Sequence, residues 1–185
     1  MSRSESKNTI DAGWALRRNS IKPTQFLLTV SVAAQRMSLF ELDKSNCAPH
    51  YEFRKRYVVS TSAYGTGQVK NSQQTPLGLH RVAQKVGAGH LIGTVFRSRK
   101  PVGLTWNGRP TGSIVHRILW LEGLEPGHNR GGDVDTFERF IYIHGFADET
   151  TLGRPASHGC IHLAAADLIP LFDRVPVGTL VWIAE

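Results

Sequence analysis

The chain has 185 residues, of which 41% are hydrophobic and 20% are charged, and its formal net charge is +7. This composition is typical of one globular domain with a single core, and no segment approaches the ~20 apolar residues that a membrane span needs. A basic balance attracts polyanions, but the Lys and Arg residues are scattered, which argues against nucleic acid as the partner.

The predicted elements begin after a polar N-terminal segment. We interpret residues 1–22 as a partly mobile tail and residues 23–185 as one domain. Residues 25–32 and 36–41 predict a hairpin, and a long loop joins a strand at 50–60 to the rest of the domain. Further strands are predicted at Leu79–Gln84, Ile114–Leu121, Arg139–His144 and Val177–Ile183. An apolar stripe in Ala164–Arg174 predicts one clear helix near the C-terminus, so the fold class is mostly β, a sandwich or barrel-like domain.

Residues 17–34 allow two interpretations. Arg17-Arg18 and a later apolar run that ends in Ala33-Ala34 are typical of an export signal. However, the run is short, it is separated from the arginines, and its apolar residues alternate with the period of a strand. We therefore expect a first core strand here, and an export signal is the alternative.

The sequence carries its chemistry in two short motifs. His144-Gly145 ends a predicted strand, and Ser157-His158-Gly159-Cys160 begins twelve positions after Gly145. A cysteine is a nucleophile as the thiolate, so it needs a base, and His144 can take its proton if the strand ends meet. The Gly145 carbonyl is the nearest group that could hold the other imidazole nitrogen. The amides of Gly159 and Cys160 are candidate donors to a developing oxyanion.

These motifs closely resemble the signature of the L,D-transpeptidase (YkuD-type) catalytic domain. The loop Ser60–Gly78, which contains Thr75-Pro76-Leu77-Gly78, and the closing Gly178–Ile183 segment are also similar to that family. The resemblance implies a YkuD-like β-sandwich with Cys160 as nucleophile, His144 as base and the Gly145 carbonyl as its orienting group. It implies attack on the position-three diamino acid of a peptidoglycan tetrapeptide stem and loss of the terminal D-alanine.

The sequence departs from the family pattern at two positions. His162 stands where the family usually has Arg or Asn, and Phe146 stands where Thr is frequent. His162 would bind a substrate carboxylate only when it is protonated. Four other residues are candidates for substrate binding or site support: Ser157, His158, Tyr142 and Arg154. Arg130 and Arg139 are further candidates for gripping a carboxylate, because a guanidinium matches its geometry.

Other functions remain open at this stage. His158, Cys160 and His162 alternate and could hold zinc with His144, but the family needs no metal, so we expect no metal and no cofactor. The same fold could also be a silent peptidoglycan-binding module. Cys47 is interpreted as structural or incidental, and the sequence gives no oligomeric state.

The preferred function follows from the preferred location. With residues 25–32 as a core strand and no export signal over residues 17–34, we expect a cytoplasmic enzyme that acts on soluble muropeptides. Water would then be the acceptor, which makes the enzyme an L,D-carboxypeptidase of muropeptide recycling. The alternative is an exported L,D-transpeptidase that crosslinks peptidoglycan in the periplasm or cell wall.

Overall fold

The computed structural model describes residues 3–43, 45, 50–108 and 114–185. The described residues form two α-helices and ten strands. The helices are α1 (Arg3–Arg18) and α2 (Ala165–Arg174). The strands are β1 (Phe26–Ser31), β2 (Arg36–Asp43), β3 (His50–Ser60), β4 (Gly78–Val86), β5 (Thr94–Arg97), β6 (Lys100–Leu104), β7 (Ile114–Gly123), β8 (Tyr142–Phe146), β9 (Ile161–Leu163) and β10 (Leu180–Ala184).

The ten strands form one sheet that closes on itself. Their order is β4-β10-β1-β2-β3-β9-β8-β7-β5-β6, and β4 also pairs with β7, so eight strands make a ring and β5–β6 extends from β7. The pairs β1–β10 and β8–β9 are parallel. The predicted mostly β class, the hairpin β1–β2 and the helix α2 are confirmed. Neither α1 nor α2 is long and apolar enough to cross a membrane.

The main core lies between α2 and the strands. Leu168, Leu171 and Phe172 of α2 are buried among side chains from β7, β8 and β9, such as Leu119 and Ile143. The run that resembles an export signal contributes Leu28 and Val30 to this core, both fully buried in β1. A helix with one apolar face is stabilised when that face is buried against a sheet, as the apolar face of α2 is here.

The helix α1 corrects the sequence analysis. We interpreted residues 1–22 as a loose polar tail, but residues 3–18 are helical, and Ala12, Ala15 and Leu16 are buried against β1, β4 and β10. Their spacing of three and four residues places them on one helix face. The buried stripe of α1 is narrow, and the large apolar residues Ile10 and Trp14 are mostly exposed. The pattern of apolar residues therefore did not predict this helix. The boundary between residues 22 and 23 stays a prediction.

We also did not predict β5 and β6. Both strands are short, and Pro101 and Gly103 disfavour a strand on sequence grounds. Two predicted strands begin later than expected: Arg139–His144 begins at Tyr142, because Phe140 has a left-handed φ of 57°, and Val177–Ile183 begins at Leu180.

If α1 belongs to the folded domain, its buried leucine stabilises that domain. Leu16→Ala should lower the free energy of unfolding by about 2–3 kcal/mol, because the side chain is 4% exposed in a packed cluster. Urea denaturation measures this loss. Ile10→Ala on the same helix is the control and should change stability by less than about 0.5 kcal/mol, since Ile10 is 59% exposed. Equal effects of the two variants would show that α1 is not docked.

Candidate active site

Two parallel strands bring the two sequence motifs together. In the β8–β9 pair, Ile143 lies opposite Ile161 and His144 lies opposite His162. Successive side chains of a strand point to opposite faces. Ile143 and Ile161 are fully buried in the main core, so His144 and His162 share the other face. Cys160 directly precedes β9 and packs on that same face, against a cluster that includes Trp120 and Tyr142.

The His144 imidazole is fixed in one tautomer. Its Nδ1 lies 2.7 Å from the Gly145 carbonyl oxygen, which can only accept, so Nδ1 carries the proton and Nε2 is free to accept one. Burial lowers the pKa of His144 to about 4, although the bond to the carbonyl opposes this shift. His144 is 3% exposed and is therefore a neutral base at neutral pH.

Gly145 has a steric reason to lack a side chain. A Cβ at this position would lie 2.6 Å from the His116 ring and 2.7 Å from the Val115 carbonyl oxygen of β7. Contacts this short are repulsive, so a side chain would push β8 away from β7. The glycine lets the two strands approach, and its own carbonyl then orients His144.

The surroundings of Cys160 favour the neutral thiol over the thiolate. Its sulfur donates to the Phe140 carbonyl oxygen at 3.6 Å, and Phe140 adopts the left-handed φ that bulky residues avoid. Burial raises the pKa of Cys160 to about 11, while the Tyr142 backbone amide and the Arg139 charge oppose this shift. At neutral pH the site therefore holds a neutral thiol and a neutral imidazole rather than an ion pair.

Ser157 stabilises the turn that carries Cys160. It is fully buried, and its Oγ donates to the Cys160 carbonyl at 2.5 Å and accepts from the Gly159 amide at 3.3 Å. Thr75 Oγ1 donates to the Gly159 carbonyl at 3.1 Å, which ties the turn to the loop between β3 and β4. Ser157 thus supports the site. The Gly159 amide has a partner within the turn, so its predicted role as an oxyanion donor, like that of the Cys160 amide, stays a prediction.

Gly159 is the position in this turn that requires glycine. Its φ is +116°, a conformation that other residues rarely adopt. A Cβ there would also lie 3.2 Å from Ile141 Cδ1 and 3.3 Å from the Gln74 carbonyl oxygen. The turn is therefore tightly packed between the β3–β4 loop and the segment before β8.

His162 is not placed to hold a charge. It is 5% exposed, its ring stacks on Phe146 at 4.3 Å, and its edge-to-face contact with the His144 ring has a centroid distance of 4.8 Å. Burial lowers the pKa of His162 to about 3, and the neighbouring His144 and His158 lower it further. The expectation that protonated His162 binds a substrate carboxylate is therefore not supported. The place of His162 beside His144 is consistent with a supporting role in the site. Phe146, the residue at the other departure from the family pattern, stacks on the His162 ring.

The remaining predicted residues divide between the site and the surface. His158 is exposed, with its ring 5.6 Å from that of Tyr64, and Tyr142 is buried with its ring 6.3 Å from that of His144. Arg154 is exposed, and its backbone carbonyl accepts a hydrogen bond from Ser60 Oγ. Its charge helps to lower the pKa of Asp148. Arg154 is thus not brought to the site.

Arg139 has a structural task that the sequence did not reveal. Its guanidinium donates to the Gly67 and Gln74 carbonyls and to Ser72 Oγ, so it holds the loop between β3 and β4 in place. It also borders an open pocket of about 230 Å³, which is lined by Lys70, Asn71, Gln73, Phe140, Ile141 and His158 among others. Since the Phe140 carbonyl contacts the Cys160 sulfur, this pocket adjoins Cys160. Arg130 is exposed and acts electrostatically on Asp135, outside this pocket.

The described residues give the zinc alternative no support. The one group of three possible metal ligands found among them is Asp43, His50 and Glu52, on β2 and β3. The ligand atoms of His158, Cys160 and His162 do not converge into such a group. Cys47 lies outside the described residues.

Comparisons with known proteins identify the family. The sequence model of the L,D-transpeptidase catalytic domain, YkuD, matches residues 25–183, so the chain belongs to this family of enzymes. A comparison with curated proteins found no match.

Similar solved structures share the fold. An L,D-transpeptidase from Mycobacterium smegmatis has a TM-score of 0.52 at 17% identity, over 87% of this chain and 59% of that one. The L,D-transpeptidase of Xylanimonas cellulosilytica has a TM-score of 0.52 at 18% identity, over 92% of this chain and 68% of that one. Bd1075 of Bdellovibrio bacteriovorus has a TM-score of 0.55 at 13% identity, over 87% of this chain and 48% of that one. The chain therefore spans about three fifths of the Mycobacterium smegmatis protein.

The neutral buried histidines predict a loss of stability in acid. The pKa values of His80, His144 and His162 are lowered to about 3, 4 and 3, mainly by burial, from an ordinary value of 6.5. Below pH 6.5 the unfolded chain binds protons that the folded chain resists, so the free energy of unfolding should fall as the pH drops from 6.5 towards 4. Urea denaturation at several pH values measures this.

The variant His162→Phe isolates one contribution. It removes a titrating ring but keeps an aromatic one, so stability should depend less steeply on pH between 6.5 and 3. Stability that is independent of pH in this window for the unmodified protein would contradict the assignment of neutral buried histidines.

Proposed function

We propose that the chain is a cysteine acyl-transfer enzyme acting on peptidoglycan tetrapeptide stems. It would cleave the bond between the position-three diamino acid and the terminal D-alanine. The observation that carries this proposal is the shared face of β8 and β9, on which the oriented His144 and the cluster that packs against Cys160 both lie. The family of the chain supports the choice of substrate.

The first half of the reaction forms a thioester. The Cys160 sulfur attacks the carbonyl carbon of the diamino acid while His144 Nε2 accepts the thiol proton. The intermediate collapses, the carbon–nitrogen bond breaks, and His144 returns that proton to the departing D-alanine amine. Because the pKa of the thiol is about 11 and that of the imidazole about 4, proton transfer before attack is unfavourable. The transfer is therefore coupled to formation of the carbon–sulfur bond.

The second half passes the acyl group to an acceptor, which we propose is water. His144 Nε2 takes a proton from the attacking water, and the thioester carbon–sulfur bond breaks as the sulfur regains that proton. The product is a tripeptide stem with a new carboxylate. An amine in place of water would give a crosslink by the same steps.

The position of β1 bears on the alternative of an export signal over residues 17–34. An export signal over residues 17–34 would include all of β1, whose Leu27, Leu28 and Val30 are fully buried. The pairing of this segment with both β2 and β10 supports its assignment as a core strand of the domain. We propose a cytoplasmic role, in which soluble muropeptides and water are the available donor and acceptor.

Mass spectrometry of a reaction with a disaccharide-tetrapeptide muropeptide tests the function. With or without a second stem as acceptor, we expect loss of one alanine and no crosslinked product. Cys160→Ala and His144→Ala should each lower turnover by at least about 1,000-fold, because nucleophile and base act as a unit.

The control variant is Cys47→Ser, which removes the other thiol and should keep full turnover. Thermal melting of the variants shows whether each is folded. Substantial turnover by folded Cys160→Ala would refute the nucleophile assignment. A crosslinked dimer would instead support the exported transpeptidase, and binding without turnover would indicate a silent peptidoglycan-binding module.

A further inference from the structure

Arg99 lies at the tip of the hairpin formed by β5 and β6. Arg97 pairs with Lys100, so Ser98 and Arg99 form a two-residue turn, and both have positive φ values, 48° and 66°. Such turns favour Asn and Gly, because other side chains are strained at positive φ. The backbone of Arg99 is therefore strained, and this strain suggests that the arginine side chain has a role.

The Arg99 guanidinium is held over aromatic rings. It donates to Tyr142 Oη at 3.2 Å and lies 4.5 Å from the centre of the Trp120 ring and 5.1 Å from that of Phe140. The Trp120 ring is itself fixed, since it stacks on Phe137 at 4.0 Å and its indole nitrogen donates to the Phe137 carbonyl. Arg99 is thus preorganised by cation–π contacts and one hydrogen bond.

The same aromatic residues surround the nucleophile. Cys160 packs against the cluster that contains Trp120 and Tyr142, and its sulfur donates to the Phe140 carbonyl. The Arg99 guanidinium therefore contacts Tyr142, Trp120 and Phe140, the same aromatic residues that surround Cys160.

Arg99 has no anionic partner in the described part of the chain. Other arginines form ion pairs: Arg54 and Arg174 with Glu41, and Arg81 with Glu122. No carboxylate of a described residue lies within 4.0 Å of Arg99, although its side chain is half-buried. A guanidinium has five N–H donors, and the hydrogen bonds of Arg99 to described residues use one of them.

We propose that Arg99 binds a carboxylate of the donor stem next to the scissile bond. This rests on the proposed function. Two carboxylates have the required chemistry: that of the terminal D-alanine and, where the third residue is diaminopimelate, the free one on that side chain. Arg99, from a hairpin that the sequence analysis missed, would take the role that we expected of Arg154 or Arg139, since a guanidinium binds a carboxylate through two parallel hydrogen bonds.

Steady-state kinetics with three substrates tests the proposal. These are the tetrapeptide stem, the stem with its terminal carboxylate as an amide, and the stem with the diaminopimelate carboxylate as an amide. Arg99→Gln should lose about 10- to 100-fold in kcat/KM on the free acid, the usual range for a hydrogen bond to a charged group. On one of the two amides, Arg99→Gln and the unmodified enzyme should be equal, and that amide identifies the carboxylate.

The control is Arg97→Gln, which removes the same charge from an exposed position of the same hairpin and should keep full activity. Arg99→Lys keeps the charge and should lose less kcat/KM on the free acid than Arg99→Gln. If Arg99→Gln does not fold, Arg99→Lys takes its place in the test. Unchanged kinetics of Arg99→Gln, or an equal loss on all three substrates, overturns the proposal while the proposed function stands. An unmodified enzyme inactive on every stem overturns both.

Discussion

The parallel pairing of β8 with β9 is the constraint on which the site depends. It joins strands that are separated by a loop in the sequence, and its register places His144 beside His162 with Cys160 one residue before the strand. The opposite faces of the same strands carry Ile143 and Ile161, which are fully buried in the main core. The apolar packing that stabilises the domain therefore also fixes the positions of His144 and Cys160.

Burial also sets the chemistry of this pair. It raises the pKa of the thiol and lowers the pKa of the imidazole, so both groups rest in their neutral forms. A resting ion pair would make the sulfur reactive towards many electrophiles, whereas a neutral thiol reacts when a bound carbonyl and an oriented base are both present. In the reaction that we propose, selectivity then depends on how the donor stem is bound, and we propose the aromatic cluster under Arg99 as the place for that binding.

The sequence predicted the parts that follow from local patterns. The β1–β2 hairpin, the stripe of α2 and the spacing of His144-Gly145 from Ser157–Cys160 each depend on short-range order. The helix α1 has too narrow an apolar stripe to be distinguished from a polar tail, and the burial of His162 depends on the strands around it. Arg99 reaches the site through a turn 61 positions before Cys160, a relation that no sequence motif encodes.

The pH dependence of Cys160 alkylation by iodoacetamide tests the neutral resting pair most directly. The Cys47→Ser variant leaves Cys160 as the one thiol of the chain. We predict that the alkylation rate is low at neutral pH and is still rising above about pH 9, because the thiolate forms with a pKa of about 11. A rate that reaches its plateau below about pH 7 would reveal a resting thiolate–imidazolium pair and would contradict this account.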